Sequence, residues 1–184
     1  PYKGYDIYRD AITKILDEFK NWKAFSIGDE SRNKPIINHK QHTELGFLNH
    51  KQVLNFLKSS EIAVVPSRWE EPFGRTALES SSRGCATIIS NKGGLPETTD
   101  HRIVLDKLDY KELYKEIKSL IINPKKRKKI QINGFKDVKH ITKNNSKEID
   151  HIREGLTADF KINYIKNKLR ILNIYNLGQK LNHR

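Results

Sequence analysis

A strand, a polar loop and a helix follow one another without a break between residues 62 and 84. Ile62–Val65 is a short β-branched run closed by Pro66, which predicts a strand that ends there. Thr76–Arg83 is compatible with a helix, and Gly84 follows it, a residue that favours the position just past a helix end. A strand, a loop and a helix N-terminus in this order form a common ligand site in α/β proteins. The stretch therefore predicts an α/β fold with a ligand site at this loop.

Two glutamates lie on either side of a glycine turn in this stretch. Glu71 is in the loop and Glu79 lies about one turn into the helix, so both side chains can face one crevice. Carboxylates only accept hydrogen bonds, so such a pair suits a ligand rich in hydroxyl groups, such as a sugar or a ribose. The alternative is one solvated glutamate and one on an ordinary helix face, and the two residues alone favour that alternative.

The residues around the pair form a longer pattern. Pro66–Gly74 reads PS-x-x-x-EPFG, seven residues separate Glu71 from Glu79, and Gly93–Glu97 reads GGLPE. This pattern resembles the C-terminal, donor-binding half of retaining GT-B glycosyltransferases of the group 1, or family 4, type. That group includes many mannosyl-, glucosyl- and N-acetylglucosaminyltransferases. The resemblance covers about residues 1–155 and implies a Rossmann-like parallel sheet flanked by helices.

The resemblance also implies roles for individual residues. Glu71 would hold the donor sugar's hydroxyls near the anomeric carbon as the catalytic residue, and Glu79 would bind the ribose hydroxyls. Lys3, just before the first helix, would contact the donor diphosphate. Five turn residues would contact the sugar and the diphosphate: Pro72, Phe73, Gly74, Arg75 and Thr76. Phe47 and Leu48 would lie against the nucleotide base, or else they are ordinary core residues beneath a helix.

The implied reaction transfers a sugar from a UDP-, GDP- or ADP-sugar to an acceptor, with retention at the anomeric carbon. Lysine, arginine and helix N–H groups can stabilise the leaving diphosphate, so no metal and no cofactor are expected. The acceptor would be held by an N-terminal domain that nothing in this chain matches, so the chain alone is expected to be inactive in transfer. The alternative is a non-catalytic nucleotide- or sugar-binding module, or half of a GT-B epimerase.

Short apolar runs alternate with amphipathic segments around the motif. Helices are predicted over residues 7–20, where Ile7, Ala11, Ile15, Leu16 and Phe19 form one apolar stripe, over residues 50–59, with Asn49 as the N-cap, and from residue 109 onward. Strands are predicted over residues 23–27, 44–48, 85–89 and 102–105. Residues 30–43 are polar and predict a loop. Strands separated by helices at this spacing predict a parallel sheet whose ligands bind beyond the carboxyl ends of its strands. The family's first strand, with its arginine, is missing before Pro1.

The C-terminal third is predicted to be helical. Residues 125–142 form a basic helix that Gly134 interrupts, and residues 146–154 form another. We expect one nucleotide-sugar-binding domain over residues 1–155 and a helical C-terminal appendage over residues 156–184. This basic amphipathic tail would pack on protein or on an anionic membrane surface.

Charge and composition narrow the partners. The formal net charge of +13 over 184 residues suits nucleic acid, an anionic membrane surface or phosphate-bearing substrates. Aromatic residues do not interleave with the basic runs as stacking platforms would, so nucleic acid is not expected.

No signal peptide and no membrane-spanning run is visible, so a cytoplasmic location is expected, free or peripheral to a membrane. The chain contains no methionine, which suggests a processed product or an excised fragment. Cys85 opens an apolar run and is interpreted as a small core residue.

Overall fold

The computed structural model describes residues 2–28 and 36–139 of the chain. In chain order the elements are α1 (Tyr5–Glu18), β1 (Ala24–Ser26), β2 (His42–Glu44), α2 (His50–Lys58), β3 (Ile62–Val65), α3 (Arg75–Ser82), β4 (Ala86–Ser90), β5 (Ile103–Leu105) and α4 (Tyr110–Ile122). A single 3-10 turn, Leu95–Glu97, lies between β4 and β5. Another helix, α5, is described over residues 124–139.

Every pair of hydrogen-bonded strands is parallel. β1 pairs with β2, and a second sheet has the order β3-β4-β5, with Val64 opposite Ile88 and Ile88 opposite Ile103. Parallel strands need crossover connections, and α3 supplies the one between β3 and β4. The predicted Rossmann-like parallel sheet flanked by helices is confirmed.

β4 is the centre of the second sheet and is buried along its whole length. Its side chains alternate between two apolar clusters. Ile88 belongs to the large cluster formed with α1 and α4, whereas Ile89 packs with Ala77 of α3 and with Leu95. Both faces of this strand are therefore covered, as a central parallel strand requires.

The apolar stripe predicted on the first helix faces this core. Ile7, Ala11, Ile15 and Leu16 are all buried on α1, and Leu113, Ile117 and Leu120 are buried on α4. A fully buried isoleucine or leucine side chain contributes about 1.5–3 kcal/mol relative to an exposed one. The α1–α4 contact is thus a main source of the fold's stability.

The N-terminus of α2 is capped as the sequence predicts. The Asn49 side chain accepts a hydrogen bond from the Gln52 N–H at 3.0 Å, and the Gln52 side chain accepts one from the Asn49 N–H at 2.9 Å. This reciprocal pair is a capping box, which satisfies two backbone donors that the helix leaves open. It fixes His50 as the first residue of the helix.

Two local predictions are wrong. The strand expected over residues 44–48 lies earlier, at His42–Glu44, and therefore includes part of the predicted 30–43 loop. Two of its three residues are exposed, and within the described part of the chain it pairs only with β1, so its residues do not alternate between apolar and polar. The interruption expected at Gly134 is absent, because the helix runs through it. A Cβ at that position would lie 3.1 Å from the His101 carbonyl oxygen, so the glycine permits close packing there.

Several predicted features lie outside the described residues. They are the end of the basic helix after residue 139, the helix over residues 146–154, the domain boundary at residue 155 and the basic tail over residues 156–184. Within the described residues, no helix is both long and apolar enough to cross a bilayer.

Cys85 is expected to be unreactive in the folded chain. Its side chain is 1% exposed, and the thiol donates to the Leu57 carbonyl oxygen at 3.2 Å. Burial, reinforced by the nearby Glu61 carboxylate, raises the pKa of Cys85 to about 12, so the nucleophilic thiolate is scarce at neutral pH. A thiol reagent such as Ellman's should label the chain in urea and leave it unlabelled in buffer at pH 8. Rapid labelling of the folded chain would contradict this burial.

Candidate functional site

Several loops meet at one edge of the fold, beyond the carboxyl ends of the strands. The segment before α1, the turn after β2, the loop after β3 and the loop after β4 each bring one part of the sequence pattern to this edge. In parallel sheets this edge is where ligands bind. The motif loops and the segments around Lys3 and Phe47 therefore lie at one edge of the fold.

The segment before α1 is held against the loop after β3. The Tyr2 carbonyl oxygen accepts hydrogen bonds from the N–H groups of Arg68, at 2.7 Å, and Trp69, at 3.2 Å. Gly4 has φ +68°, and a Cβ built on it would lie 1.9 Å from the Pro66 carbonyl oxygen. Only glycine fits this left-handed, close-packed position. As a result, Lys3 reaches the motif loop although 68 residues separate it from Glu71.

Glu71 contacts Lys3 directly. The Lys3 Nζ lies 2.5 Å from the Glu71 Oε1. The Lys3 side chain is 64% exposed, whereas that of Glu71 is 17% exposed, so an exposed cation contacts a carboxylate that is largely buried in the loop. Exposed ion pairs of this kind are worth about 1 kcal/mol or less, so a ligand with stronger partners can displace the contact. The residue expected at the diphosphate and the residue expected at the sugar therefore lie side by side.

Glu79 lies on α3 and is contacted by the side chains of His50 and Arg75. Its Oε1 is 2.9 Å from the His50 Nε2 and 3.2 Å from the Arg75 Nε. The Glu79 side chain is 20% exposed, while those of His50 and Arg75 are 58% and 74% exposed. Like Glu71, this carboxylate is half-buried and reachable from solvent. The contact with His50 was not predicted, although the Asn49 cap fixes that residue at the start of α2, next to this edge.

The start of α3 offers backbone donors to the same edge. Gly74 precedes the helix with φ 74°, and no side chain from the described residues caps it. A Cβ at Gly74 would lie 2.8 Å from a methyl carbon of Leu95, so a larger residue does not fit. The first N–H groups of a helix have no partner within the helix and carry partial positive charge. Arg75 and Thr76 are exposed and are the first two residues of this helix.

Glu70 joins the two motif loops, a role that was not predicted. Its Oε2 accepts the Gly93 N–H at 2.6 Å, and its Oε1 lies 2.9 Å from the Lys92 Nζ. The Glu71 carbonyl oxygen accepts the Gly94 N–H at 2.7 Å, which adds a second link. A Cβ at Gly93 would lie 2.3 Å from the Glu71 carbonyl oxygen, so the loops touch along their backbones. The Lys92 hydrogen bond and the Gly93 N–H hold the pKa of Glu70 below its usual range.

Replacing Glu70 with alanine is expected to loosen the loop after β4. The Gly93 amide would lose its acceptor, so its hydrogen exchange should accelerate several-fold, while exchange in the buried β4 should not change. Because the pKa of Glu70 is lowered by folding, the link is intact above the ordinary carboxyl range and is lost as the pH falls through the lowered value. Amide exchange followed by NMR tests this, with Glu97→Ala as the control. Equal Gly93 exchange in both variants would contradict the assignment.

The turn after β2 carries two apolar residues, Phe47 and Leu48, that are not fully buried. Phe47 is 78% exposed, which excludes an ordinary core role for that side chain, and Leu48 is half-buried. Both precede the capped start of α2, close to His50. An exposed aromatic ring beside a hydrogen-bonding cluster is suited to stack on a planar group.

Within the described residues, no group of three His, Cys, Asp or Glu side chains is arranged to hold a metal ion.

Comparisons with known proteins agree with this architecture. The family model "Glycosyl transferases group 1" matches residues 1–137. Spore coat protein SA of Bacillus subtilis is 26% identical over 145 residues, which is 70% of this chain and 38% of that protein. The match thus spans well under half the length of that relative. An uncharacterized glycosyltransferase of Methanocaldococcus jannaschii is 39% identical over 59 residues, which is 32% of this chain and 15% of that protein.

Two solved structures share the fold. The C-terminal domain of a glycosyl transferase group 1 family protein from Francisella tularensis superposes with a TM-score of 0.68 at 23% identity, over 76% of this chain and 79% of that one. The HepE protein of Anabaena, in complex with UDP and glucose, superposes with a TM-score of 0.64 at 19% identity, over 82% of this chain and 45% of that one. Together with the family match, these likenesses identify the C-terminal half of a GT-B fold. The chain belongs to the group 1 family of glycosyl transferases.

Proposed function

We propose that this chain is the donor-binding half of a retaining glycosyltransferase and that it binds a nucleoside diphosphate sugar at the carboxyl edge of its sheet. The observation that carries the proposal is the 2.5 Å contact between Lys3 and Glu71. It brings a cation suited to a diphosphate against a carboxylate suited to sugar hydroxyls, from opposite ends of the family pattern. Lysine donates hydrogen bonds and carboxylates accept them, so one donor molecule can replace both halves of this contact.

The diphosphate is proposed to lie between Lys3 and the start of α3. A helix N-terminus with open N–H groups favours phosphate, and the left-handed Gly74 lets the backbone turn towards it. Arg75 is 74% exposed, and among the described residues its side chain is bound only to Glu79, so its guanidinium can swing to the phosphates. As the bond between the anomeric carbon and the diphosphate breaks, these groups would stabilise the growing negative charge. The proposal needs no metal for that step.

The sugar and the ribose of the nucleoside are each proposed to be bound by one of the two carboxylates. Glu71, next to the loop formed by Pro72 and Phe73, would accept hydrogen bonds from the sugar hydroxyls close to the anomeric carbon. Glu79 would accept them from the ribose, with the base against Phe47 and Leu48. Glu71 lies before Gly74 in the chain and Glu79 lies after it. The diphosphate, which joins the sugar to the ribose, would therefore face the turn at Gly74.

The acceptor half is proposed to come from a part of the protein outside this chain, because the chain matches less than half of its relatives' length. An acceptor hydroxyl would attack the anomeric carbon on the face that the diphosphate leaves, and its proton would pass to the departing diphosphate. Attack on that face retains the configuration. This chain alone would then bind the donor without transferring its sugar. We place the enzyme in the cytoplasm, free or at a membrane surface.

Calorimetric titration of UDP-glucose, GDP-mannose and ADP-glucose into the chain tests the proposal. One nucleotide should bind with at least tenfold preference over the others, and the parent nucleoside diphosphate should compete with it. A DNA duplex titrated at the same salt concentration should not compete. Absence of binding by all three donors, or displacement of the preferred donor by the duplex, would refute the proposed function.

A further inference from the structure

Helix α5 carries a basic face that no part of the described structure covers. Its other face docks on the domain: the Arg127 Nε lies 3.1 Å from the Glu61 Oε2, and the Gln131 side chain donates to the Glu61 carbonyl oxygen at 3.0 Å. The Arg127 guanidinium also lies 5.2 Å from the centre of the Trp22 ring. These contacts and the close approach at Gly134 fix which side of the helix points outward.

The outward side is both basic and apolar. With 3.6 residues per turn, six exposed residues fall within an arc of about 100°. These residues, here called the lysine face, are Lys125, Lys128, Lys129, Ile132, Lys136 and Lys139. Ile132 lies near the middle of the arc and is 42% exposed, and Phe135, at its border, is 47% exposed.

The lysine face is not neutralised by its neighbours. Within the described residues, none of its five lysines forms an ion pair or a hydrogen bond, and no acidic residue interrupts the arc. The other cations of this helix are paired, since Lys126 contacts Glu116 and Arg127 contacts Glu61. Like charges three or four residues apart repel one another along a helix. The positive charges of this face therefore have no neutralising partner among the described residues. An extended anionic surface would neutralise them.

The apolar residues decide what kind of anionic surface fits. Neither Ile132 nor Phe135 has a hydrogen-bonding group for a phosphate or a base edge. Ile132, near the middle of the arc, also has no stacking face for a nucleic acid base, and Phe135 lies only at the border of the arc. At a bilayer, Ile132 and Phe135 can enter the boundary between headgroups and acyl chains while the lysine stems extend to the anionic headgroups. We infer that the lysine face of α5 binds an anionic lipid bilayer.

This surface is separate from the proposed donor site. Glu61 and His101, which contact α5, precede β3 and β5, so the helix lies across the amino ends of these strands. The donor site lies at their carboxyl ends. Binding of a bilayer by α5 and binding of a nucleotide at the opposite edge are thus expected to be independent, and either inference can fail without the other.

Flotation with lipid vesicles tests the inference on the whole chain. The chain should bind vesicles that contain phosphatidylglycerol, bind pure phosphatidylcholine vesicles far more weakly, and be released as salt is raised. The combined change Lys125→Gln, Lys128→Gln and Lys129→Gln should weaken binding roughly a hundredfold, since each lysine near such a surface contributes a factor of about five. The double change Ile132→Ser and Phe135→Ser should weaken it roughly tenfold.

A charge-matched variant distinguishes binding by the lysine face from binding that depends only on the net charge of the chain. Lys40, Lys51 and Lys58 are exposed on other parts of the domain, so changing all three to Gln removes the same charge elsewhere. Near-normal vesicle binding by this control supports the inference. Equal losses in the two triple variants would overturn it, because the rest of the basic chain would then suffice. Equal binding to neutral vesicles would also overturn it. So would RNA binding that needs the lysines but not Ile132 and Phe135, with no vesicle binding.

Discussion

Replacing Gly4 with alanine is expected to lower the free energy of unfolding by about 3 kcal/mol. The added Cβ would lie 1.9 Å from the Pro66 carbonyl oxygen, and the backbone at φ +68° disfavours any side chain. Neither group can move cheaply, because Pro66 is buried and closes β3. The strain must therefore be relieved by lifting the start of α1 from the loop after β3.

Gly46→Ala is the matched control for this prediction. Gly46 has nearly the same backbone, with φ +63°, but no atom of the described residues lies within 4 Å of its built Cβ. This variant should lose only about 1 kcal/mol, the cost of the left-handed conformation itself. Urea unfolding followed by circular dichroism measures both variants. If the two lose the same stability, the close packing between Gly4 and Pro66 is not what holds Lys3 at the edge.

The two glutamates are expected to affect nucleotide binding in different ways. Glu79→Ala should weaken UDP and UDP-glucose alike, by about ten- to a hundredfold, because both ligands carry the ribose. Glu71→Ala should weaken UDP-glucose by a similar factor and leave UDP almost unchanged, because only the sugar reaches that carboxylate. The factor is that of a charged hydrogen bond lost from a partly buried site. Calorimetry with both ligands measures the four affinities, once UDP is confirmed as the preferred nucleotide.

An acidic residue away from the edge serves as the control for this pair. Asp100 is 98% exposed, so Asp100→Ala removes the same charge and should leave both affinities unchanged. A uniform loss for UDP and UDP-glucose in Glu71→Ala would contradict the role proposed for Glu71. Unchanged UDP affinity in Glu79→Ala would contradict the assignment of the ribose to Glu79.

The elements with strong local signals were predictable from the sequence. The stripe of Ile7, Ala11 and Ile15 located α1, and Asn49 located the start of α2, because apolar periodicity and capping act within a few residues. β2 was misplaced because it is short, polar and largely exposed, so pairing with β1 rather than its own sequence defines it. Gly134 was misread because a glycine's cost within a helix is visible in sequence, whereas its packing benefit at His101 is not.

The candidate site was predictable where one continuous motif carries it. Glu71, Gly74 and Glu79 lie within nine residues, and the structure places them at the expected edge. The links made by Glu70 and His50 escaped prediction because their partners are 23 and 29 residues away. Such contacts depend on how separate loops meet. In the structure, the left-handed glycines Gly4 and Gly93 let these loops approach each other along their backbones.

The central claim is that a nucleotide sugar binds where the four loops meet at the carboxyl edge. The most direct test is to follow the backbone amides of the isotope-labelled chain by NMR while UDP-glucose, or the preferred donor, is added. The account predicts that the largest shifts fall on Gly4, on residues 47–50, on residues 71–79 and on Gly93 and Gly94. Shifts concentrated on α5 or on the α1–α4 surface, with these amides unmoved, would contradict it.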